Sequence, residues 1–438
     1  MVSLESACIT LSRCVSEPYD SRVTITLPCV TQGQARRAMT MIFKDLLVID
    51  CASYIAGPAA ATMLSDYGAR VIKIEPPGEG DSYRKLITLL PGEAHENFYW
   101  VLDSRNKESL ALDLKRPEAR EALARLIRRA DVFITNFPGP IRERLGITAR
   151  DLAGLNPRLI YASLTPYGEV GPEKDRTAYD TTAWWGRSGL MDMVRPGPEA
   201  EHATTTPGMG DHPTAVSLFA GIVTALYRRQ MTGEGGMVST SLLANGLWSN
   251  SAYIQAALCG VEVPPRKPRG QRNPIQEVYT TRDGRQFVLV SVNFEREFPL
   301  LLTAIERAEW ALDPRFATPD ARLAHAGLMV GLLEDIFARR DWPDWRDRFT
   351  EAGVTFGLIG RTRDHEHDEQ ILANDFLPAF ADRPHLRTVA NPVQVSGLEK
   401  VTPRMAPDVG AHSRSILTEL GLSEEDILAI LGKGAGSP

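Results

Sequence analysis

Asp211 stands after two glycines and at the start of an apolar helix in the stretch GMGDHPTAVSLFAGI, residues 208–222. An aspartate just before Pro213 is a common capping arrangement, so capping is the simplest interpretation. Gly208 and Gly210 leave backbone N–H groups unscreened, as an oxyanion site requires, and a helix start favours an ionised carboxylate. An ionised, approachable aspartate beside such donors can attack an acyl carbonyl, which makes Asp211 a candidate nucleophile as well as a cap.

Asp180, in RTAYDTTAWWGRSGLM, is the second candidate for chemistry. It follows the glycine-containing loop PYGEVGPEKDR, and it could cap a helix that begins near Thr181. Its alternative role is that of a general base, or of an acceptor for a ligand hydrogen bond. The adjacent Trp184 and Trp185 are more typical of a hydrophobic core than of a pocket. Two neighbouring side chains on a helix point in different directions, however, so one of the two rings could line a ligand cavity.

Other candidate groups are weaker. His212 could orient a ligand, but a surface histidine is the simpler interpretation. The histidines of RDHEHDEQ, residues 363–370, lack a third ligand in register, so a solvated loop or helix start is favoured over a metal site. No GxSxG motif is present and no cysteine has an obviously electropositive setting, which argues against serine and cysteine hydrolases. We therefore predict no metal.

Composition is that of an ordinary soluble globular protein, with 43% hydrophobic and 24% charged residues among 438. A net charge of −6 without long basic runs argues against nucleic acid and membrane surfaces as partners, but permits a small anionic ligand. The odd number of cysteines and the absence of CxxC indicate a reducing compartment without disulfides or zinc. No apolar run reaches the roughly 20 residues of a membrane helix, so a cytoplasmic protein is expected. The five cysteines are Cys8, Cys14, Cys29, Cys51 and Cys259.

Alternating strands and helices predict an α/β fold with a doubly wound, mostly parallel sheet. The first βαβ unit begins with the strand LLVIDC (46–51) and ends with the strand RVIKIE (70–75). Between them lies a helix with Pro58 near its start and Gly68 at its end. Such sheets bind ligands beyond the carboxyl ends of their strands, yet the GxGxxG and GxxxxGK[ST] phosphate loops are absent. Further strands are predicted at 109–114, 131–137 and 159–168, and helices at 116–130, after Thr148, at 214–229 and at 241–259.

Composition shifts divide the chain. Residues 1–40 show no sustained period and are interpreted as an extension or a misassigned start, and 41–259 form the large domain. A linker rich in proline and basic residues, 260–274, leads to a smaller α+β domain at 275–385, which begins with a hairpin turning at Asp283-Gly284. Residues 386–438 return to the large domain and contain a helix that Ser423 and Asp426 start with capping-box spacing.

Several motifs in one order resemble the class III CoA-transferase family, which includes formyl-CoA transferase, carnitine CoA-transferase and the α-methylacyl-CoA racemases. They are DLLVIDCASYIAGPAAATMLSDYGARVIKIEPPGEGD, NKESLALDLK, NFPGPIRERLG, NPRLIYASLTPYGEVGP, AYD and GMGD, and the likeness covers about 43–430. The resemblance implies a Rossmann-like large domain, a smaller domain and a homodimer of two interlocked subunits. It also implies that Asp211, in the GD motif with Gly210, is the nucleophile.

The implied chemistry moves CoA from an acyl-CoA to a carboxylic acid through an aspartyl anhydride and an aspartyl-CoA thioester. Acyl-CoA is then a substrate, and no permanently bound cofactor is expected. Matching positions imply contacts with CoA at Ala56, Leu112, Lys115, Asn136, Phe137, Arg144 and Tyr179.

Departures from formyl-CoA transferase argue against formate or oxalate as the substrate. Where that enzyme has a glutamine in its first turn, this chain has Ile55. The arginine that contacts CoA in that enzyme is replaced here within Pro76-Pro77, and its long glycine-rich loop has no counterpart in this sequence. The stretch AYDTTAWWGRSGLM with GDHPTA is most similar to transferases of 2-hydroxy acids, and it implies a large Trp-rich pocket for an aromatic or branched chain.

Two alternatives stay open at this point. The racemase branch abstracts an α-proton and carries a GHD motif, where this chain has AYD, so Asp180 is kept but Tyr179 replaces the histidine. That difference favours a transferase. A noncatalytic acyl-CoA-binding protein is the other alternative, and it would leave Asp211 dispensable.

Overall fold

A six-stranded parallel sheet organises the protein in the computed structural model, which describes residues 41–89 and 96–432. The predicted extension, 1–40, lies outside the described residues. The strand order is β3-β2-β1-β4-β5-β6, which is the doubly wound arrangement that the sequence predicted. The strands are β1 Leu47–Asp50, β2 Arg70–Glu75, β3 Lys107–Ala111, β4 Val132–Thr135, β5 Ile160–Thr165 and β6 Gly236–Ser241.

Helices cover both faces of this sheet. Leu64 of α1 and Leu218 of α7 belong to the hydrophobic cluster on one face, whereas Leu123 of α3 and Ile416 of α15 belong to the cluster on the other. The α-helices are α1 Ala56–Asp66, α2 Phe98–Ser104, α3 Pro117–Ile127, α4 Gly139–Leu145, α5 Ala149–Leu155, α6 Leu190–Met193, α7 Asp211–Thr232, α8 Leu242–Ser249, α9 Ser251–Leu258, α10 Phe294–Ile305, α11 Pro319–Ala324, α12 Ala326–Phe337, α13 Trp342–Ala352, α14 Glu369–Ala373, α15 Ser413–Glu419 and α16 Glu424–Leu431.

Local signals placed several boundaries correctly. Gly68 follows α1 with φ of +98°, and Thr148 caps α5 in a capping box with Asp151. The helix predicted over 241–259 is in fact two helices, α8 and α9, separated at Asn250. Strand β6 was not predicted, because GMVSTS is polar and half-exposed at the edge of the sheet.

A second, antiparallel sheet has the order β7-β8-β9, with β7 Val278–Thr280, β8 Gln286–Leu289 and β9 Phe356–Leu358. The hairpin prediction is confirmed, since β7 pairs with β8 and Gly284 has φ of +72° in the turn. Strand β9 joins from a distant part of the chain and was not predicted. Helices α10, α12 and α13 pack on this sheet around an aromatic core. Short 3₁₀ turns occur at Ser82–Leu89, Pro274–Gln276, Ala308–Ala311 and Thr362–His367.

The C-terminal part of the chain packs against β3, the outermost strand of the large sheet. The Ser109 amide donates to His412 Nδ1 at 3.2 Å, and the Ala111 amide donates to Ser413 Oγ at 3.0 Å. Ser423 caps α16 as predicted, accepting from the Asp426 amide. In the described ranges, no helix is long and apolar enough to cross a membrane.

Candidate active site

A cavity of about 260 Å³ opens beyond the carboxyl ends of β1, β4 and β5. This is the edge where parallel α/β sheets bind ligands, because the loops that follow neighbouring strands meet there. It is lined by Ser53, Tyr54, Ile55, Ala56, Asn136, Phe137, Pro138, Leu164, Thr165, Pro166, Lys174, Arg176, Thr177, Ala178, Tyr179, Asp211 and Leu242.

Asp211 reaches this cavity from the first residue of α7. The prediction that it caps the helix is wrong, because the capping position belongs to Gly210 and no side chain caps the helix. Within the described part of the chain its carboxylate accepts no hydrogen bond. An uncommitted carboxylate that faces a cavity has both oxygens available to a ligand.

Asp180 has a structural role, in that its carboxylate joins two backbone segments. Oδ1 accepts from the Thr181 amide at 2.8 Å, so the predicted cap is confirmed, at a short π-helix that spans Thr181–Gly186. Oδ2 accepts from the Gly210 amide at 3.1 Å. The Gly210 N–H is therefore not a free oxyanion donor, contrary to the sequence-based prediction.

The two glycines before α7 are required by close packing. A Cβ on Gly210 would lie 2.6 Å from Cγ of Trp184, and one on Gly208 would lie 2.9 Å from the His212 ring. Gly208 also has φ of +84°, which favours glycine. Both residues let bulky rings close over the start of the helix that presents Asp211.

Trp184 and Trp185 do not line the cavity, so the predicted Trp-rich pocket is wrong. Their rings stack at 5.7 Å with an interplanar angle of 13°, and both are buried with Ala183 and Leu242. Both tryptophans lie in the π-helix Thr181–Gly186, which the sequence pattern did not predict. The pair forms a rigid support behind Gly210 rather than a ligand wall.

The charge environment of Asp211 opposes the ionised carboxylate that its place at a helix start predicted. Burial and the negative charge of Asp180 raise the pKa of Asp211 to about 7, against the opposing positive charge of His212. Desolvation and like-charge repulsion thus outweigh the helix terminus. Burial and Asp180 therefore both disfavour the ionised form of Asp211.

His212 is not a free surface histidine, contrary to the simpler interpretation of the sequence. Its Nε2 lies 3.0 Å from Oδ1 of Asp103, and its Nδ1 lies 3.0 Å from the Gly208 carbonyl oxygen. Burial disfavours the imidazolium, but the hydrogen bond and charge of Asp103 outweigh burial, so the pKa of His212 is raised. Asp103 itself is buried at the end of α2 and accepts from the Tyr83 hydroxyl at 2.7 Å.

The structure gathers four of the predicted CoA-contacting residues around the Asp211 cavity, namely Ala56, Asn136, Phe137 and Tyr179. Asn136 fixes this edge of the sheet, since it accepts from the Ser53 amide at 2.9 Å and donates to the Ser53 carbonyl at 2.7 Å.

The other three predicted residues lie elsewhere. Leu112 is buried in the hydrophobic core, Lys115 is exposed after β3, and Arg144 lines a separate cavity between α3 and α5. Their contact with CoA stays a prediction.

Among the lining residues that the sequence analysis did not single out, three bear on the chemistry of the cavity. Lys174 and Arg176 contribute positive charge, and their signal was the pair of basic residues in PEKDR just before Asp180. Tyr54 has φ of +62°, a strained conformation for tyrosine, and its ring meets that of Tyr179 edge-on at 5.8 Å. No sequence pattern marks Tyr54 or Asp103.

The segment RDHEHDEQ forms a 3₁₀ turn and the start of α14, as the non-metal interpretation predicted. Across 41–89 and 96–432, no group of three or more histidine, cysteine, aspartate or glutamate side chains is arranged to hold a metal ion. Cys51 and Cys259 are free thiols, the first buried and the second exposed.

A chain with a parallel sheet and a carboxylate in the cavity at its carboxyl edge is an α/β protein whose ligand site lies where such sheets bind ligands. The family described as CoA-transferase family III matches residues 43–413, and the chain belongs to this family. It is therefore a CoA-transferase, an enzyme that acts on acyl-CoA and a carboxylic acid.

Individual relatives agree with this assignment. (R)-2-hydroxy-4-methylpentanoate CoA-transferase of Clostridioides difficile is 32% identical over 393 residues, covering 88% of this chain and 97% of the relative. Acetyl-CoA:oxalate CoA-transferase of Acetobacter aceti is also 32% identical, over 390 residues, covering 87% and 96%. The crystal structure of a CaiB/BaiF family protein from Brucella suis superposes with a TM-score of 0.77 at 28% identity, covering 86% and 99%.

Proposed function

We propose that Asp211 is the nucleophile that carries CoA transfer in this enzyme. The observation that supports the proposal is the placement of an uncommitted carboxylate in the cavity that Ala56, Asn136, Phe137 and Tyr179 also line. These are the residues whose positions match CoA contacts in the family.

The first half-reaction needs no proton transfer. One Asp211 oxygen attacks the thioester carbonyl of the donor, the C–S bond breaks, and CoA leaves as a thiolate, which gives an acyl-aspartyl anhydride. The thiolate then attacks the Asp211 carbonyl carbon, and the donor acid leaves as a carboxylate. An aspartyl-CoA thioester remains, and it keeps the free energy of the original thioester.

The second half-reaction runs in the opposite direction. The acceptor carboxylate attacks the aspartyl-CoA carbonyl and expels the CoA thiolate, which forms an anhydride between acceptor and Asp211. The thiolate attacks the acceptor carbonyl, and Asp211 leaves as a carboxylate. Lys174 and Arg176 supply the positive charge in the cavity that favours anionic substrates.

Racemisation is disfavoured by the geometry of Asp180. A base must reach the α-proton of its substrate, but both Asp180 oxygens accept backbone hydrogen bonds and the residue is buried outside the cavity lining. Tyr179 stands where racemases carry histidine, and a phenol is a poorer general base than an imidazole.

For the substrate we propose a 2-hydroxy acid with a branched or aromatic chain. Ile55, Phe137, Leu164 and Leu242 give the cavity apolar walls, which suit such a chain better than a small dicarboxylate. Overall identity does not decide this, since the 2-hydroxy-4-methylpentanoate and oxalate enzymes are equally similar to this chain. Competition between phenyllactate, 2-hydroxy-4-methylpentanoate and oxalate as acceptors tests the proposal, and preference for oxalate would refute it.

We also propose that two chains form the homodimer that the family resemblance implies. Helices α8 and α9 expose large apolar side chains, with Trp248 80% and Leu258 77% exposed, and patches of this kind mark interfaces. Light scattering after size exclusion tests it: a dimer mass is expected, and a monomer of 48.3 kDa would refute the proposal.

The decisive experiment for the mechanism is intact-protein mass spectrometry after mixing with a panel of acyl-CoAs, followed by hydroxylamine trapping. A covalent change that maps to Asp211 is expected, and it should vanish in Asp211→Asn but persist in Asp192→Asn, a control at an exposed aspartate. Exchange of α-protons in deuterated water without any adduct would instead support a racemase.

A further inference from the structure

We propose that Asp103 and His212 form a positioning pair that holds a fixed positive charge beside Asp211 and keeps this nucleophile ionised. The inference rests on the proposed function, because it assumes that Asp211 attacks as a carboxylate. His212 follows Asp211 directly in the first turn of α7. It is absent from the cavity lining, so it acts through Asp211 rather than on the substrate.

The hydrogen bonds of His212 identify its protonation state. One ring nitrogen faces the Asp103 carboxylate and the other faces the Gly208 carbonyl, each at 3.0 Å. A backbone carbonyl and an ionised carboxylate can only accept, so both ring nitrogens must carry hydrogen. The geometry therefore favours the imidazolium, which carries a full positive charge.

The Asp103 side of the pair is anchored on three elements. Its Oδ2 accepts from the Tyr83 hydroxyl at 2.7 Å, and the residue is only 3% exposed. Its backbone carbonyl accepts from Thr62 Oγ1 at 2.6 Å and from Lys107 Nζ at 2.8 Å. A carboxylate fixed in this way cannot follow a mobile imidazole, so it determines where the imidazolium sits.

The His212 side depends on Gly208. A Cβ at that position would lie 2.9 Å from two ring atoms of His212, so only glycine leaves room for the ring against the Gly208 carbonyl. The glycine at position 208 thus makes room for the His212 ring.

The charges around Asp211 explain why a cation is needed there. Asp180 lies directly before the π-helix and Asp103 lies at the end of α2, and both are buried, so three carboxylates interact in one largely buried region. Burial and both neighbours favour the protonated form of Asp211, which cannot attack a thioester, and His212 is the charge that opposes them. Arg176 lines the cavity and pairs with Glu173, but it is not among the charges that act on Asp211. Further titratable groups at this cluster are Tyr54, Tyr83, Tyr99, Tyr179, Lys107 and Lys174.

The test is an NMR titration of the protein labelled with ¹³C at the aspartate carboxyl carbons, where the Asp211 signal is assigned by its loss in Asp211→Asn. In His212→Gln the Asp211 midpoint should rise by about one pH unit or more, the size expected when an adjacent opposite charge is lost. His212→Lys, which restores a positive charge, should bring the midpoint back toward the wild-type value. The matched control is His202→Gln, since His202 forms a similar pair with Asp192 in an exposed position, 3.3 Å apart.

Two further readouts keep the inference testable. Asp103→Asn should lower the midpoint of the His212 ring protons, and this variant carries the test if His212→Gln does not fold. In the pH profile of the rate of adduct formation with 4-methylpentanoyl-CoA, the acidic limb should lie at higher pH for His212→Gln than for wild type.

The possible outcomes separate the two proposals. Equal Asp211 midpoints in wild type and folded His212→Gln would overturn the pair's role and leave the nucleophile proposal intact. An unchanged His212 midpoint in Asp103→Asn would also overturn the role of the Asp103–His212 pair and leave the nucleophile proposal intact. The absence of any adduct in wild type would instead refute the nucleophile, whatever the titrations give.

Discussion

Oδ2 of Asp180 lies 3.1 Å from the amide nitrogen of Gly210, the residue directly before Asp211. The bond links the π-helix to the start of α7, and it places one negative charge close to another. Asp180 therefore fixes the backbone that presents Asp211, and at the same time it disfavours ionisation of Asp211.

Replacing Asp180 by asparagine should separate these two effects. The pKa of Asp211 should fall because a neighbouring negative charge is lost, so the acidic limb of adduct formation should move to lower pH, opposite to the shift expected for His212→Gln. Stability should fall by about 1–3 kcal/mol, since an amide group cannot accept both backbone bonds. Asp192→Asn is the control. A pH profile identical to that of wild type would contradict this account.

Asp211→Asn should abolish transfer, and it should stabilise the protein increasingly as the pH rises from about 4 through 7. The folded pKa of Asp211, about 7, lies above its ordinary value of 3.8, so the folded state binds the proton more tightly. The stability that the protonated group contributes is full below pH 3.8 and is lost as the pH rises through 7. At pH 8 the variant should unfold about 2 °C higher than wild type, and at pH 4 the two should nearly coincide. Calorimetry at both pH values checks this, and equal differences would argue against it.

Gly210→Ala should destabilise the enzyme by about 1–3 kcal/mol, because its Cβ would meet the Trp184 ring at 2.6 Å and neither backbone nor stacked ring can move freely. Activity should fall more than stability alone explains, since the start of α7 must shift. Gly154→Ala, in α5 with no atom within 4 Å of the new Cβ, is the matched control and should be neutral or slightly stabilising. Denaturant unfolding measures both, and similar values for the two variants would refute the packing argument.

Arg176→Ala should raise KM for acyl-CoA at least about tenfold, with a smaller effect on kcat, because the cavity loses one of its two cations. The increase should shrink at high salt, which screens such interactions. Arg187 shares Glu173 with Arg176 but lies outside the cavity, so Arg187→Ala should leave KM unchanged. Steady-state kinetics at two ionic strengths tests the prediction, and equal effects of the two substitutions would count against it.

The large sheet could be predicted because its signals are local. Apolar strands such as β2, the glycine after α1 and the threonine before α5 each depend on a few neighbouring residues. Strands β6 and β9 could not be predicted in this way, because one is polar at an edge and the other pairs with strand β8 some 70 residues earlier.

In the candidate site, too, local sequence signals could be predicted and long-range contacts could not. The GD motif drew attention to Asp211 and Gly210, but the partners that set their chemistry lie far away in sequence. Asp103 is 109 residues from His212, and Asp180 is 30 residues from Gly210. Nothing near Asp211 in the sequence reveals that burial raises its pKa, or that Asp180 occupies the amide expected to be free.

The bonds from β3 to the C-terminal part of the chain have a consequence for synthesis. The hydrogen bond from Ser109 to His412 cannot form until His412 has been synthesised, 303 residues later. At roughly 5–20 residues per second, the ribosome needs about 15–60 s to deliver it. During that interval the outer edge of the nascent sheet lacks its cover, and an uncovered edge strand can pair with another chain. The growing polypeptide is therefore most exposed to misassembly late in translation, when most of its sheet is already complete.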